Sequence, residues 1–301
     1  MNPSSTNADF AQRPFNRDLI RRRRDRAAGN FDNYEFLSAE VADRLVDRLD
    51  DISRPFVDVA ILGCHTGQVG ALLNSRPGLA PRAQSDLSVA MATAARAANA
   101  IPAIVADEEA LPWADQSLDL IISNLVLHGV NDLPGALVQA RRALRPDGVL
   151  LASMFGGTTL QELREVMLAA EEETTGGASP RVSPMADVRD LGNLLQRAGF
   201  ALPVADAEII TVRYESPFKL FEDLRGMAES QALNAGRKNF LRRDTLNRAA
   251  ELYMTRYGGD DRRIPATFEI ITLTAWAPDE SQPKPLRPGS ATAKLADFLE
   301  E

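Results

Sequence analysis

The residues of this 301-residue chain whose types and spacing could do chemistry gather at a few short stretches. The first is Gly63-Cys64-His65-Thr66-Gly67, after the apolar run Phe56 to Leu62 and before a helical pattern starting at Val69. Strand, glycine turn and helix in that order let backbone approach a ligand closely, because glycine adopts conformations that a Cβ forbids. The second is Asp86-Leu87, about twenty residues on, at the predicted end of the next strand, where a carboxylate can accept two hydrogen bonds from vicinal ribose hydroxyls. The same carboxylate can instead cap the helix beginning at Ser88-Val89. The third is Asp107-Glu108-Glu109 after a third strand, where an acidic side chain can accept from the exocyclic amine of adenine; a solvated acidic loop is the bland alternative.

The chain has two histidines. His65 sits inside the glycine turn, and His128 follows the fourth strand at the mouth of the crevice. His128 is the candidate catalytic group, with a satisfied structural histidine as the equal alternative. Two histidines among scattered carboxylates do not make a ligand set, so no metal site is expected. Cys64 reads as a small buried residue rather than a nucleophile, and a single cysteine forms no internal disulfide. Gly156-Gly157 ends a fifth strand either to let a partner lie close or as a plain tight turn. Arg164 reads as a surface ion-pair partner, and the run Arg21 to Arg24 as the exposed start of a helical cap.

The elements that must position these residues alternate. Strands end at Leu62, Asp86, Ala106, Ser123 and Phe155, and helices run between them, the clearest from Leu133 to Leu144, then a turn at Pro146-Asp147-Gly148. That alternation implies α/β architecture, a parallel sheet with helices on both faces and ligands at the carboxyl ends of its strands. Beyond Phe155, Thr159 and Glu162 are spaced as a capping box, Ser183-Pro184 reads as a helix start and Gly199 as a helix end. Two further strands, Glu208 to Tyr214 and Thr267 to Trp276, bracket helical sequence from Phe218 to about Tyr257. The division expected is an arm and helical cap over 1–50, a main domain over 51–278 with its core at 56–155 and a helical insertion at 217–258, and a tail over 279–301 ending in a short helix from Ala291 to Leu299.

Lys and Arg number 34 against 42 Asp and Glu, a net charge of −8, which argues against a surface for nucleic acid. No apolar run is long enough to span a bilayer, which leaves only peripheral association with a membrane. The first fifteen residues lack the apolar core of a secretory signal and make a weak transit peptide.

The stretch Asp107-Glu108-Glu109-x-Leu111-Pro112, then Leu118 to His128, then Leu144-x-Pro146-Asp147-Gly148, resembles the class I S-adenosylmethionine-dependent methyltransferase family in its biotin-synthesis, malonyl carrier-protein branch. A wider similarity runs through Phe15-Asn16-Arg17-Asp18-Leu19, Leu127 to Pro134, Met154 to Arg164, Asp190 to Phe200, Asp223-Leu224-Arg225-Gly226-Met227 and Arg287-x-Gly289-Ser290-Ala291. Over most of its length the chain is similar to the respiratory complex I assembly factor family of mitochondria and its bacterial relatives. That resemblance implies a Rossmann-like class I methyltransferase fold, a mostly parallel seven-stranded sheet with an N-terminal helical cap and a C-terminal helical insertion. It implies S-adenosylmethionine as cofactor, and Gly63, His65, Gly67, Asp86, Leu87, Asp107, Glu108 and Asn124 as the positions that hold it. It also implies hydroxylation of an arginine on the iron–sulfur subunit near the quinone site, in the bacterial cytoplasm or the mitochondrial matrix.

The turn departs from the family pattern Leu-Asp-Leu-Gly-Cys-Gly-x-Gly. Ile61 stands where Asp is usual, and His65 puts a ring where Gly is usual. Losing one charge-assisted hydrogen bond costs about 1.5–3 kcal/mol, one to two decades of affinity, so an impaired cofactor site is expected. Two other functions stay open: methyl transfer to a small acid or carrier-bound acyl group, and a non-catalytic chaperone.

Overall fold

The computed structural model describes residues 13–79, 81–177, 179–234 and 241–283. The tail helix expected from Ala291 to Leu299, and the motif at Arg287 to Ala291, lie outside the described residues. In chain order the elements are α1 (Arg17–Ala27), α2 (Phe36–Asp47), β1 (Val59–Leu62), α3 (Gln68–Asn74), β2 (Pro81–Asp86), α4 (Val89–Asn99), β3 (Ala103–Val105) and β4 (Leu118–Asn124). There follow α5 (Leu133–Ala143), β5 (Leu144–Phe155), α6 (Gln161–Thr175), α7 (Val188–Arg197), β6 (Ala201–Tyr214), α8 (Pro217–Gly226), α9 (Arg243–Tyr257) and β7 (Ile264–Trp276).

The seven strands form one sheet in the order β3-β2-β1-β4-β5-β7-β6. β1 to β5 are parallel and β7 runs antiparallel to both β5 and β6. The chain steps outward in one direction from β1 to β3 and in the other from β4 to β5. The reversal opens a crevice at the carboxyl ends of β1 and β4, where ligands bind in open α/β sheets.

Alternation along the strands builds two cores. Ala60, Leu62 and Ile121 face α5 and α7, whereas Val59, Ile61, Leu120 and Ile122 face α2, α3 and α4. Burial on both faces explains why β1 and β4 read as nearly unbroken apolar runs. A third cluster packs α6, α8 and α9 against Ile264, Phe268 and Ile270 of β7.

Local signals set most helix starts. The side chains of Asn16, Ser88, Asp132, Asp187 and Ser216 each accept a backbone N–H in the first turn of their helix. Gly199, at φ +84°, lies just past the end of α7, as its position predicts.

Several expectations need correction. No helix starts at Ser183-Pro184; that stretch belongs to no helix or strand, and α7 begins at Val188 behind Asp187. Thr159 and Glu162 form no capping box, because both reach across to β7: Thr159 Oγ1 donates to Glu269 O at 3.1 Å, and the Glu162 carboxylate accepts the Thr267 N–H at 3.2 Å. The Pro146-Asp147-Gly148 turn is absorbed into the start of β5, with Asp147 at φ +61°. β6 and β7 each extend well before the predicted starts, and within 217–258 two helices, α8 and α9, form.

Candidate functional site

The glycine turn is built around two positions that a side chain would spoil. Gly63 has φ +72°, and a Cβ there would lie 2.4 Å from the methyl carbons of Val126. Gly67 has φ +109°, and its Cβ would lie 3.2 Å from Ala95 Cα. The N–H groups of Gly63 and Cys64 both donate to Ser85 O, at 2.8 and 2.9 Å, which ties the turn to β2. Cys64 is buried, and burial pushes its thiol well above the usual range, so it is no nucleophile.

His65, between the glycines, is itself left-handed at φ +47°. Its N–H donates to Asp86 Oδ2 at 3.2 Å, and its ring lies parallel to Phe31 with centroids 5.5 Å apart. Burial, reinforced by the nearby Arg24 charge, lowers its pKa, so the ring is neutral near pH 7. Nε2 lies 3.0 Å from the Asn124 carbonyl, which can only accept; the proton therefore sits on Nε2, and buried Nδ1 has no partner.

The carboxylates at the ends of β2 and β3 converge, but two arginines of α1 hold them. Arg24 Nη1 lies 2.9 Å from Glu108 Oε1 and 3.5 Å from Asp86 Oδ1, all three side chains at most 5% exposed. Arg17 pairs with Glu108 as well, donates to Asp107 Oδ1 at 2.6 Å and to Gly129 O at 3.0 Å. Burial alone would raise the Glu108 pKa, but Arg24 and Arg17 hold it down at about 2. Burial alone would lower that of Arg24, but Asp86 and Glu108 raise it. Asp25, next on α1, accepts the Ser88 hydroxyl at 2.6 Å and so docks α1 onto the start of α4. Glu108 of the acidic loop is thus not solvated, and Arg24 of the arginine run is buried while Arg22 stays exposed.

Asp86 also accepts the Ser88 N–H at 2.8 Å, while the cap of α4 is Ser88 itself. Leu87 beside it is buried. Asn124 is fully engaged within the protein: Nδ2 donates to Ser38 O, Oδ1 accepts from Ser153 Oγ, both at 2.8 Å, and its carbonyl takes the His65 contact. Among the described residues Arg164 makes no ion pair; it donates to the carbonyls of Gly157 and Thr159. Gly156 makes room for a side chain of its own chain, since a Cβ would lie 2.6 Å from the Glu269 carboxyl carbon.

His128 lies at the mouth as expected, but its partner was not foreseen. Its Nε2 is 3.0 Å from Glu229 Oε2, and its ring lies 4.6 Å from that of Phe155. Both line a cavity of about 400 Å³ between α1, α6 and α8, walled by Ile20, Leu163, Met167, Phe221 and Leu224. The functional candidates missed in sequence are Arg17, Arg24 and Glu229. One signal was available: Arg17 and Arg24 are seven residues apart, two helical turns, and so share a face.

A seven-stranded sheet with β7 antiparallel, a glycine turn after β1 and acidic residues ending β2 and β3 defines a class I methyltransferase fold. The Methyltransferase domain family model matches residues 61–152, and the solved YcgJ protein of Bacillus subtilis shares the fold, with TM-score 0.55 and 13% identity over 79% of this chain and 99% of that one. Arginine-hydroxylase NDUFAF5, mitochondrial, of Danio rerio is 40% identical over 94% of this chain and 89% of its own length. The malonyl-[acyl-carrier protein] O-methyltransferase of a Methylovorus species is 32% identical over 86% of this chain and 88% of its own. The chain belongs to the arginine-hydroxylase NDUFAF5 family, built on the methyltransferase fold.

S-adenosylmethionine is the cofactor that this fold and the matched domain support. The residues fit in kind: a glycine turn that admits no Cβ, Asp86 ending β2, and Asp107 and Glu108 just past β3. Asp86 and Glu108 are 1% and 0% exposed, so a ligand reaches them only when Arg24 gives way. Among the described residues no group of three or more His, Cys, Asp or Glu side chains could hold a metal ion, and no helix is long and apolar enough to cross a membrane.

Proposed function

We propose that this protein hydroxylates an arginine of a protein partner during assembly of respiratory complex I, the partner being its iron–sulfur subunit near the quinone site. The observation that carries the reading is the 40% identity to an arginine-hydroxylase across 94% of the chain. It extends well beyond the methyltransferase core to α1, α6, α8 and α9, the elements that wall the cavity at His128. Hydroxylation replaces one hydrogen of the arginine with hydroxyl; with dioxygen as oxidant, the second oxygen leaves as water and a reductant supplies two electrons and two protons. In this reading Gly63 and Gly67 let backbone lie against S-adenosylmethionine. Asp86 and Leu87 receive its ribose end, and Asp107 and Glu108 its adenine. Asn124 and the His65 ring support the turn. The place of work is where the enzyme complex is assembled, the mitochondrial matrix in a eukaryote or the cytoplasm in a bacterium.

The test is co-expression with the iron–sulfur subunit, followed by peptide mass spectrometry of that subunit. Gain of one oxygen on an arginine, absent without this chain, is expected. Gain of a methyl group instead would point to transfer chemistry, and a stable complex with unmodified arginines to a chaperone.

A further inference from the structure

The His128–Glu229 pair is more than a surface contact. The Glu229 carboxylate has capacity for about four hydrogen bonds, and among the described residues it accepts one, from His128. Burial would raise its pKa, but His128 and then Arg24 hold it low, so it is a carboxylate at neutral pH. His128, its side chain 7% exposed, spends Nε2 on Glu229, and its Nδ1 is buried with no partner among the described residues. A carboxylate short of donors thus borders a cavity whose remaining wall is largely aliphatic and aromatic.

Three arginines also line the cavity. Arg24 is neutralised by Glu108 and Asp86, and Arg181 by Glu171, while Arg225 sits exposed at the rim. Glu229 is the acidic side chain of the lining, and no arginine of the lining pairs with it.

We infer that this cavity is the site for a guanidinium-bearing side chain of the protein substrate, with Glu229 as the group that receives the cation and His128 as the residue that positions its carboxylate. A guanidinium offers five N–H donors in one plane, which suits a carboxylate with lone pairs to spare. Its three-carbon stem suits the walls formed by Leu163, Met167, Phe221 and Leu224. About 400 Å³ holds the whole side chain together with part of the backbone that carries it. The assignment rests on the arginine-modifying reading and adds to it the residues that recognise the arginine.

The experiment uses the full chain and Nα-acetyl-L-arginine N-methylamide as probe, with binding followed by ligand-observed nuclear magnetic resonance. The matching citrulline compound, uncharged and nearly the same shape, serves as control. Wild-type protein should bind the arginine probe about ten- to a hundredfold more tightly than the citrulline probe, the difference made by charge-assisted hydrogen bonds. Glu229→Gln should remove that preference. Met167→Trp, which fills the cavity and leaves Glu229 and His128 in place, should weaken the arginine probe as strongly, and thermal melts verify that both variants fold. Equal binding of the two probes, no binding of either, or unchanged preference in Glu229→Gln overturns the inference. Oxygen incorporation into the subunit separates the two ideas. If Glu229→Gln still hydroxylates at the wild-type rate, the recognition site is wrong and the activity right. If wild-type protein selects arginine through Glu229 yet modifies none, the activity is wrong and the site right.

Discussion

Arg24 on the N-terminal helix and Glu108 past the end of β3 lie 2.9 Å apart with almost no exposure, in the crevice where the fold binds its cofactor. Replacing Arg24 with Met leaves Asp86 and Glu108 short of a counter-charge. An unpaired buried charge costs about 3–5 kcal/mol, and the cheaper response is for α1 to lift and admit water or ligand. Arg24→Met should therefore bind S-adenosylmethionine at least about tenfold more tightly by calorimetry, with faster amide exchange along α1. Unchanged affinity in a folded variant would show that α1 does not compete with the cofactor.

The same pair makes stability depend on acid. The Glu108 pKa is lowered from 4.5 to about 2, so its contribution is fully present above the ordinary carboxylate value and is lost as pH falls through about 2. A shift of that size is on the order of 3 kcal/mol. His65, whose pKa is also lowered, destabilises the fold from a higher starting point, as pH drops below about 6.5. Melts of the wild type and Glu108→Gln should run parallel through the histidine range and diverge only below about pH 4.5, with the wild type falling faster. Parallel curves at every pH would mean that Glu108 is not held ionised.

What could be read in advance follows from where each physical signal lives. β4 was legible because burial on both faces leaves a mostly apolar run, Leu118 and Leu120 to Ile122, interrupted at Asp119. The first half of β6 was not: Leu202 and Val204 stay 42% and 51% exposed on an edge strand, where Pro203 is tolerated, so no apolar run marks it. Ser183-Pro184 has helix-start chemistry, yet the neighbouring Val182 and Met185 line cavities, and Asp187 supplies the cap. Asp86 and Glu108 were found from their strand-end positions. Arg24 was not, because an arginine in a basic run looks solvated until the acids that bury it, 62 and 84 residues away, are placed beside it. Glu229 falls in the stretch read as helical yet lies past the end of α8, outside any helix, and only the fold brings it to His128.

His65 and Ile61, the two departures from the usual turn, should respond in opposite ways. Glycine at 65 relieves a left-handed backbone, worth about 1–2 kcal/mol, and offsets part of the lost Phe31 stacking and Asn124 hydrogen bond. It also joins the ring's volume to the small cavity beside Phe31, Tyr34 and Phe155. His65→Gly should keep its thermal midpoint within a few degrees and gain about tenfold in S-adenosylmethionine affinity. Ile61 is fully buried against α2 and α3, so Ile61→Asp sets a carboxylate among apolar groups. A loss of about 3 kcal/mol or more is expected in urea unfolding. A stable Ile61→Asp protein with improved affinity would mean that β1 can turn this position toward the crevice.

Gly63 and Val126 test the turn geometry directly. A methyl at 63 meets Val126 at 2.4 Å and holds alanine at φ +72°, so two penalties act together. Overpacking of this kind costs about 1–3 kcal/mol and the left-handed backbone about 1–2. Gly63→Ala should lose about 2–4 kcal/mol in urea unfolding. Val126→Ala removes both methyl groups that the new Cβ would strike at 2.4 Å and leaves the Val126 Cβ, at 2.8 Å. In the double variant most of the steric part should be relieved and the backbone part remain, giving a coupling of about 1 kcal/mol in a double-mutant cycle. Simple additivity of the two substitutions would mean that the turn shifts away from β4 instead of pressing on Val126, and the close approach of backbone to ligand would then be a property of a different conformation.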